Sequence, residues 1–139
     1  MKLEREMNLK GITRDLLILV ASLLVAVGSY IGWQRLTYHD TKNPVQALKQ
    51  AKTDQQDTLL VFHKTGCPDC KAAVVDINRG INRYKDTYNH VVVDTNKSNL
   101  YEQYGVTEVP TVIHLHQGIE VDRYSGTDQS QITQILSGR

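Results

Sequence analysis

The sequence predicts an α/β domain at residues 43–139 behind a single membrane-spanning helix at residues 16–33. Three features lead there: an uncharged apolar run near the start, a regular alternation of helical and strand-like periods after it, and two cysteines confined to Cys67-Pro68-Asp69-Cys70. At 139 residues the chain holds one modest domain and a small appendage, not two packed domains. Lys and Arg number 16 against 15 Asp and Glu, so no strong net field is available to hold nucleic acid by counterion release, which disfavours a general DNA or RNA binder. Two cysteines are too few for a disulfide framework or a four-sulfur zinc site, which leaves them for chemistry.

Residues 16–33 read LLILVASLLVAVGSYIGW, eighteen residues without a charge between Arg14-Asp15 and Arg35. That meets the minimum of roughly 17 to 25 residues for a spanning helix, and Tyr30 and Trp33 stand at one end, where amphipathic rings favour the interface. No polar face interrupts the run, since only Ser22 and Ser29 are polar between Leu16 and Tyr30. Ala26-Val27-Gly28 offers small residues at signal-peptidase spacing, but the apolar run continues past it, which favours an uncleaved anchor. Basic residues are balanced on the two sides: Lys2, Arg5, Lys10 and Arg14 before the run, Arg35, Lys42, Lys49 and Lys52 after it. The positive-inside count is therefore a draw. A short tail ahead of a globular domain resembles a signal-anchor that exports its C-terminus, giving a cytoplasmic tail at 1–15, the anchor at 16–33 and a tether at 34–42.

The elements of the domain follow in order. Asn43-Pro44 opens a first helix, with Asn43 as its cap, Pro44 at its first position, and Val45, Leu48 and Ala51 facing inward until Thr53. TLLVFH, residues 58–63, is a short apolar run of strand length, buried on both faces. A turn at Lys64-Thr65-Gly66 leads into the cysteine motif and a helix whose apolar positions Val74, Ile77, Ile81 and Tyr84 form one stripe. HVVVD at 90–94 reads as a second buried strand, 98–104 as a short helix, and Gly105 as its left-handed terminator. Residues 111–116 and 119–124 flank Gln117-Gly118, which makes them a β-hairpin. Asp128 and Gln131 form a capping box for a last helix that turns Ile132, Ile135 and Leu136 inward and ends before Gly138.

A strand, then CxxC opening a helix, then YGVTEVPT before a hairpin and a final helix together resemble the thioredoxin-like superfamily over residues 43–139. The matching positions are Phe62, Cys67, Cys70, Asp94, Tyr104-Gly105-Val106, Val109-Pro110-Thr111, Gly118 and Gly126. The resemblance implies a central mixed sheet flanked by helices, with a cis bond before Pro110 that brings the Val109 backbone opposite Cys67. There it would pair with an extended substrate segment, a one-residue form of strand addition. Three positions depart from the family pattern. Gly66 replaces the usual Trp, Val61 the usual buried acid that assists proton transfer, and His90 the lysine that partners that acid.

The spacing of the cysteines suits redox exchange. At a helix start, residues i and i+3 lie about one turn apart, within the Cα separation of roughly 4.4 to 6.8 Å that a disulfide requires. Cys67, at the first turn, meets unpaired amides and the positive end of the helix dipole, which favour its thiolate and make it the expected nucleophile. Cys70, one turn further in, is the expected resolving cysteine. A structural disulfide is a weak reading because the loop it would close is so short. Metal ligation has no evident third or fourth ligand. Pro68 and Asp69 lie between the sulfurs, where the Asp69 charge opposes a thiolate, and Lys64 and His63 are near enough in sequence to offset it. His114 and His116 share one strand face at i, i+2 and read as a solvated or partly covered face rather than ligands.

The sequence thus points to a membrane-anchored thiol-disulfide oxidoreductase outside the cytoplasmic membrane of a bacterium, where disulfides persist. Its expected partners are the thiols and disulfides of exported client proteins, with no nucleic acid, cofactor or metal. Two alternatives stay open: an accessory oxidoreductase dedicated to one bacteriocin or conjugation client, and a copper or haem-assembly chaperone that uses the CxxC.

Overall fold

The computed structural model describes residues 2–138, with side chains from Gly11 onward, and the chain divides after Gln34 into two compact units. The first is the helix α1 (Lys2–Arg35). Its stretch Gly11–Arg35 is long and apolar enough to cross a membrane. Ser22 donates its hydroxyl to the Leu19 carbonyl at 2.9 Å, so this polar group is satisfied within the helix, as a lipid environment requires.

The second unit is built from α2 (Pro44–Thr53), β1 (Thr58–His63), α3 (Pro68–Tyr84), β2 (Asn89–Asp94), α4 (Leu100–Gln103), β3 (Thr111–His116), β4 (Ile119–Ser125) and α5 (Gln129–Leu136). The strands form one mixed sheet in the order β2-β1-β3-β4, with β1 parallel to β2 and antiparallel to β3, and β3 and β4 joined as an antiparallel hairpin. Every residue of β1 is buried, as expected for a central strand covered on both faces. Period-two alternation sends Leu59 and Val61 to one face, where they meet Ala73 and Ile77 of α3 and Ile132, Ile135 and Leu136 of α5. Leu60 and Phe62 go to the other, against Leu48 of α2 and Leu100 of α4.

Several local expectations are revised. Asn43 stands at the N-cap of α2 but its side chain makes no capping bond. Val45 is 61% exposed instead of inward. The buried stripe of α2 runs through Ala47, Leu48 and Ala51, and Val45 falls to one side of it. The helix expected at 98–104 is a single turn, Leu100–Gln103, because the amides of Lys97 and Ser98 turn back onto the Asp94 carbonyl at 2.9 and 3.2 Å. β2 begins one residue earlier than expected, and β4 ends one residue later. At α5 only half of the capping box forms. Asp128 accepts from the Gln131 amide at 2.9 Å, whereas its own amide donates to the Tyr124 hydroxyl at 3.0 Å and leaves the Gln131 side chain no donor to reach.

The stretch expected as a tether is docked on the domain. The Thr41 amide donates to the Val92 carbonyl at 2.9 Å, and the Val92 amide donates to the Thr41 hydroxyl at 3.0 Å. Asn78 of α3 donates to the Thr37 carbonyl at 2.8 Å, and the Tyr38 ring packs on the core.

Candidate redox site

The loop between β1 and α3 turns through Gly66, whose φ of +89° lies in the left-handed region that favours glycine. Cys67 follows as the N-cap of α3, in an extended conformation, and Pro68 takes the first helical position, where its missing amide costs nothing. Cys67 Sγ accepts a hydrogen bond from the Cys70 amide at 3.2 Å, so the sulfur fills the place of a capping oxygen. Cys67 is half-buried, whereas Cys70 is only 2% exposed and its sulfur accepts from the Lys64 amide at 3.4 Å. Burial pushes the Cys70 thiol up to about 12, helped by its hydrogen bond to Cys67 and the charges of Cys67 and Asp69 and opposed by the Lys64 amide. The two sulfurs are therefore chemically unlike: one accessible on a helix N-terminus, the other enclosed and held protonated.

The Val109-Pro110 bond is cis, and the Val109 carbonyl lies 3.7 Å from Cys67 Sγ. Two side chains and a backbone amide fix this loop. Thr111 donates its hydroxyl to the Glu108 carbonyl at 2.7 Å and shares a 2.6 Å hydrogen bond with Ser125, while the Gly126 amide donates to the Pro110 carbonyl at 3.1 Å. Lys64 and Val109, whose backbone groups meet the sulfurs of Cys70 and Cys67, line a groove of about 380 Å³.

This arrangement fits the family that the sequence resembles, and comparison decides it. The sequence profile of the thioredoxin-like domain matches residues 44–137. The chain belongs to the thioredoxin-like family. Solved structures that resemble it include the germline-specific thioredoxin Deadhead of Drosophila melanogaster, at 23% identity and a TM-score of 0.63, covering 73% of this chain and 97% of that one. Thioredoxin NaTrxh of Nicotiana alata matches at 22% identity and a TM-score of 0.62, covering 73% and 96%. Thioredoxin O2 of Arabidopsis thaliana matches at 21% and 0.61, covering 75% and 95%. Among curated proteins the sequence has no match.

The thioredoxin-like domain keeps its departures in the structure. Val61 is wholly buried among apolar side chains, so no carboxylate stands at that position. His90 is half-buried with Nε2 enclosed and unpartnered, and burial lowers its pKa. A Cβ at Gly66 would meet nothing within 4 Å, so the approach to Cys67 is open where a large ring usually sits. His114 is buried edge-on to Tyr88, while His116 is exposed and bonds Asp57 at 2.6 Å, a partly covered strand face as expected.

Of the residues expected to tune the cysteines, Asp69 is exposed in the first turn of α3 and Lys64 is exposed beside Cys70. His63 is buried, and its Nε2 lies 2.6 Å from Asp40 Oδ1. Sequence reasoning missed the network around it. Tyr38 stacks on the His63 ring with centroids 4.1 Å apart and planes 14° from parallel, and its hydroxyl donates to the Cys70 carbonyl at 2.8 Å. Lys97 reaches Asp40 at 2.6 Å and Asp94 at 3.7 Å. Asp94 in turn accepts from the Thr65 hydroxyl at 2.6 Å and the Asn96 amide at 2.9 Å. Asp40, His63 and Asp94 bring three metal-ligating atoms within 4.8 Å of one another, but the Lys97 ammonium already supplies a cation to both carboxylates.

Proposed function

We propose that this thioredoxin-like protein is a membrane-anchored, extracytoplasmic thiol-disulfide oxidoreductase that exchanges disulfides with exported client proteins through Cys67 and Cys70. The observation that carries the reading is the asymmetry of the two sulfurs. Cys67, accessible and bonded to the Cys70 amide at the start of α3, suits attack on a client disulfide. Cys70, enclosed one turn inside, suits the second attack, on Cys67 Sγ, which releases the client thiol and closes the Cys67–Cys70 disulfide. The same two steps run backwards donate a disulfide to a client. The Val109 carbonyl, facing Cys67, offers one strand-like hydrogen bond to an extended client segment, with little selection of side chains. Pro68 and Asp69 tune the pair from between the sulfurs.

The anchor rests on the uncharged apolar run at residues 16–33 within the helical stretch Gly11–Arg35. Redox exchange is tested by insulin reduction under dithiothreitol with the full-length protein in detergent. The wild type should accelerate insulin precipitation and Cys67→Ser should not; turnover surviving in Cys67→Ser contradicts the reading. Fractionation of cells carrying a C-terminally tagged chain should find the full-length protein in membranes, with the tag digested by protease added to spheroplasts. A soluble, N-terminally shortened product identifies a cleaved signal, and a protected tag reverses the orientation.

A further inference from the structure

We infer that His63, held in place by Asp40 and Tyr38, exchanges the proton of Cys70 when Cys70 attacks the Cys67-client mixed disulfide. The inference rests on the oxidoreductase reading and gives the network ahead of the domain a part in it.

The attack needs a proton acceptor. In the mixed disulfide the Cys70 S–H must lose its proton before its electron pair can form the bond to Cys67 Sγ. The bond from Cys67 Sγ to the client sulfur then breaks, its electron pair leaving on that sulfur, which is reprotonated from the imidazolium or solvent. The cysteine pair is oxidised by two electrons and the client disulfide is reduced by two, so no further oxidant enters. Burial makes the Cys70 proton hard to lose unaided, and Val61 provides no buried carboxylate to receive it.

Among the described residues that line a cleft with Cys70, one suitable base remains. Cys70, Tyr38, Asp40 and His63 all line one cleft of about 650 Å³, which Lys64, Lys71 and Lys97 also border. The three lysine ammonium groups have no lone pair to offer, and Lys97 is held protonated by its hydrogen bond to Asp40. The Tyr38 phenol keeps its proton because burial raises its pKa, and its hydroxyl already donates to the Cys70 carbonyl. The Asp40 carboxylate is shared between His63 and Lys97, and that of Asp94 between Thr65, Asn96 and Lys97. An imidazole remains, the side chain suited to gain and lose a proton near neutrality.

Its placement favours the role. His63 and Asp94 are register partners on β1 and β2, so both side chains lie on the sheet face that carries α3. The residue after His63 puts its amide on the Cys70 sulfur, and Tyr38 bridges the imidazole and the Cys70 carbonyl. With Asp40 accepting from Nε2 at 2.6 Å, the basic lone pair of the neutral ring is on Nδ1. The cleft has room for one water to carry the proton between ring and thiol. Asp40 and Tyr38 act through His63 and are positioning residues.

The test is the reaction of the reduced full-length protein, in detergent, with 5,5′-dithiobis(2-nitrobenzoate). The first thionitrobenzoate released reports attack by Cys67; the second, independent of reagent concentration, reports resolution by Cys70. The wild-type second phase should show a plateau through neutral pH before rising again as Cys70 ionises. His63→Gln should lose the plateau, slow roughly 100-fold at pH 7 and converge with the wild type at high pH. Asp40→Asn, at a partly exposed site that tolerates the change should His63→Gln fail to fold, should slow the second phase through neutral pH and leave it unchanged at high pH, since an amide does not hold the ring in the same orientation. Second-phase profiles parallel to wild type in the folded variants overturn this inference alone, because a merely structural role scales the rate equally at every pH. A wild type with no first phase overturns the oxidoreductase reading instead.

Discussion

The hydroxyl of Tyr38, four residues ahead of Lys42 and outside the matched family domain, donates to the carbonyl of Cys70 at 2.8 Å. The segment before α2 is therefore a brace on the first turn of the cysteine helix. Tyr38→Phe keeps the stack on His63 and removes only the hydrogen bond, and should lower stability by about 1 kcal/mol. Tyr38→Ala removes the ring as well and should cost about 3 kcal/mol. Thermal unfolding of the full-length protein in detergent, followed by near-ultraviolet circular dichroism, should show the larger loss for alanine; equal losses would mean that the ring contributes nothing to docking.

Gly80 of α3 packs directly under Leu136 of α5. A Cβ there would stand 2.4 Å from Leu136 Cδ1, and Leu136 is fully buried with little room to withdraw. Gly80→Ala should therefore destabilise by about 1 to 3 kcal/mol, against the gain of about 1 kcal/mol that alanine brings to an open helix. A double-mutant cycle with Leu136→Ala should recover part of the loss. Stabilisation by Gly80→Ala would show that the helices shift apart freely.

Asp69 sets two effects against each other. Its carboxylate favours the N-terminus of α3, yet the same charge opposes a thiolate there and raises the Cys70 thiol. Asp69→Asn should favour the reduced pair and make the protein more oxidising by about 10 to 30 mV, where 30 mV corresponds to about 1.4 kcal/mol in this two-electron couple. Equilibration against glutathione measures it, and a more reducing variant would mean that the charge is spent on solvent.

His90 gives the pH dependence a sign. Its pKa is lowered in the folded state by burial, so the unfolded chain binds the proton more readily. Its contribution is intact above the unfolded value of about 6.5 and is lost as the pH falls from there through the lower folded value. The wild type should lose stability between pH 7 and 5, and His90→Leu should flatten that slope in thermal scans. An unchanged slope would place the acid sensitivity elsewhere.

Much of this was written plainly in the sequence. The apolar run at the centre of TLLVFH reads as a strand covered on both faces, and Gln117-Gly118, both at positive φ, close the hairpin. The spacing of Cys67 and Cys70 pointed to one sulfur at the helix cap and one inside, because the first stands at the helix start and the second one turn further in. Tyr38 and Asp40 were illegible: they lie outside any periodic element, and their meaning comes from contacts 32 and 23 residues away, with Cys70 and His63. His63 read as a tuner of Cys67 for the same reason, since its commitment to Asp40 needs the fold to exist. Val45 misled because a valine at a helix start satisfies the hydrophobic pattern whether or not a partner faces it.

The division of labour between the two sulfurs is tested most directly by trapping. Full-length protein carrying Cys70→Ser, expressed in cells and taken up in detergent after thiols are blocked, should be recovered in mixed disulfides with client proteins that disappear on reduction. Cys67→Ser should be recovered without them. Equal trapping by both variants, or trapping by Cys67→Ser alone, would contradict the assignment of attack to Cys67 and resolution to Cys70.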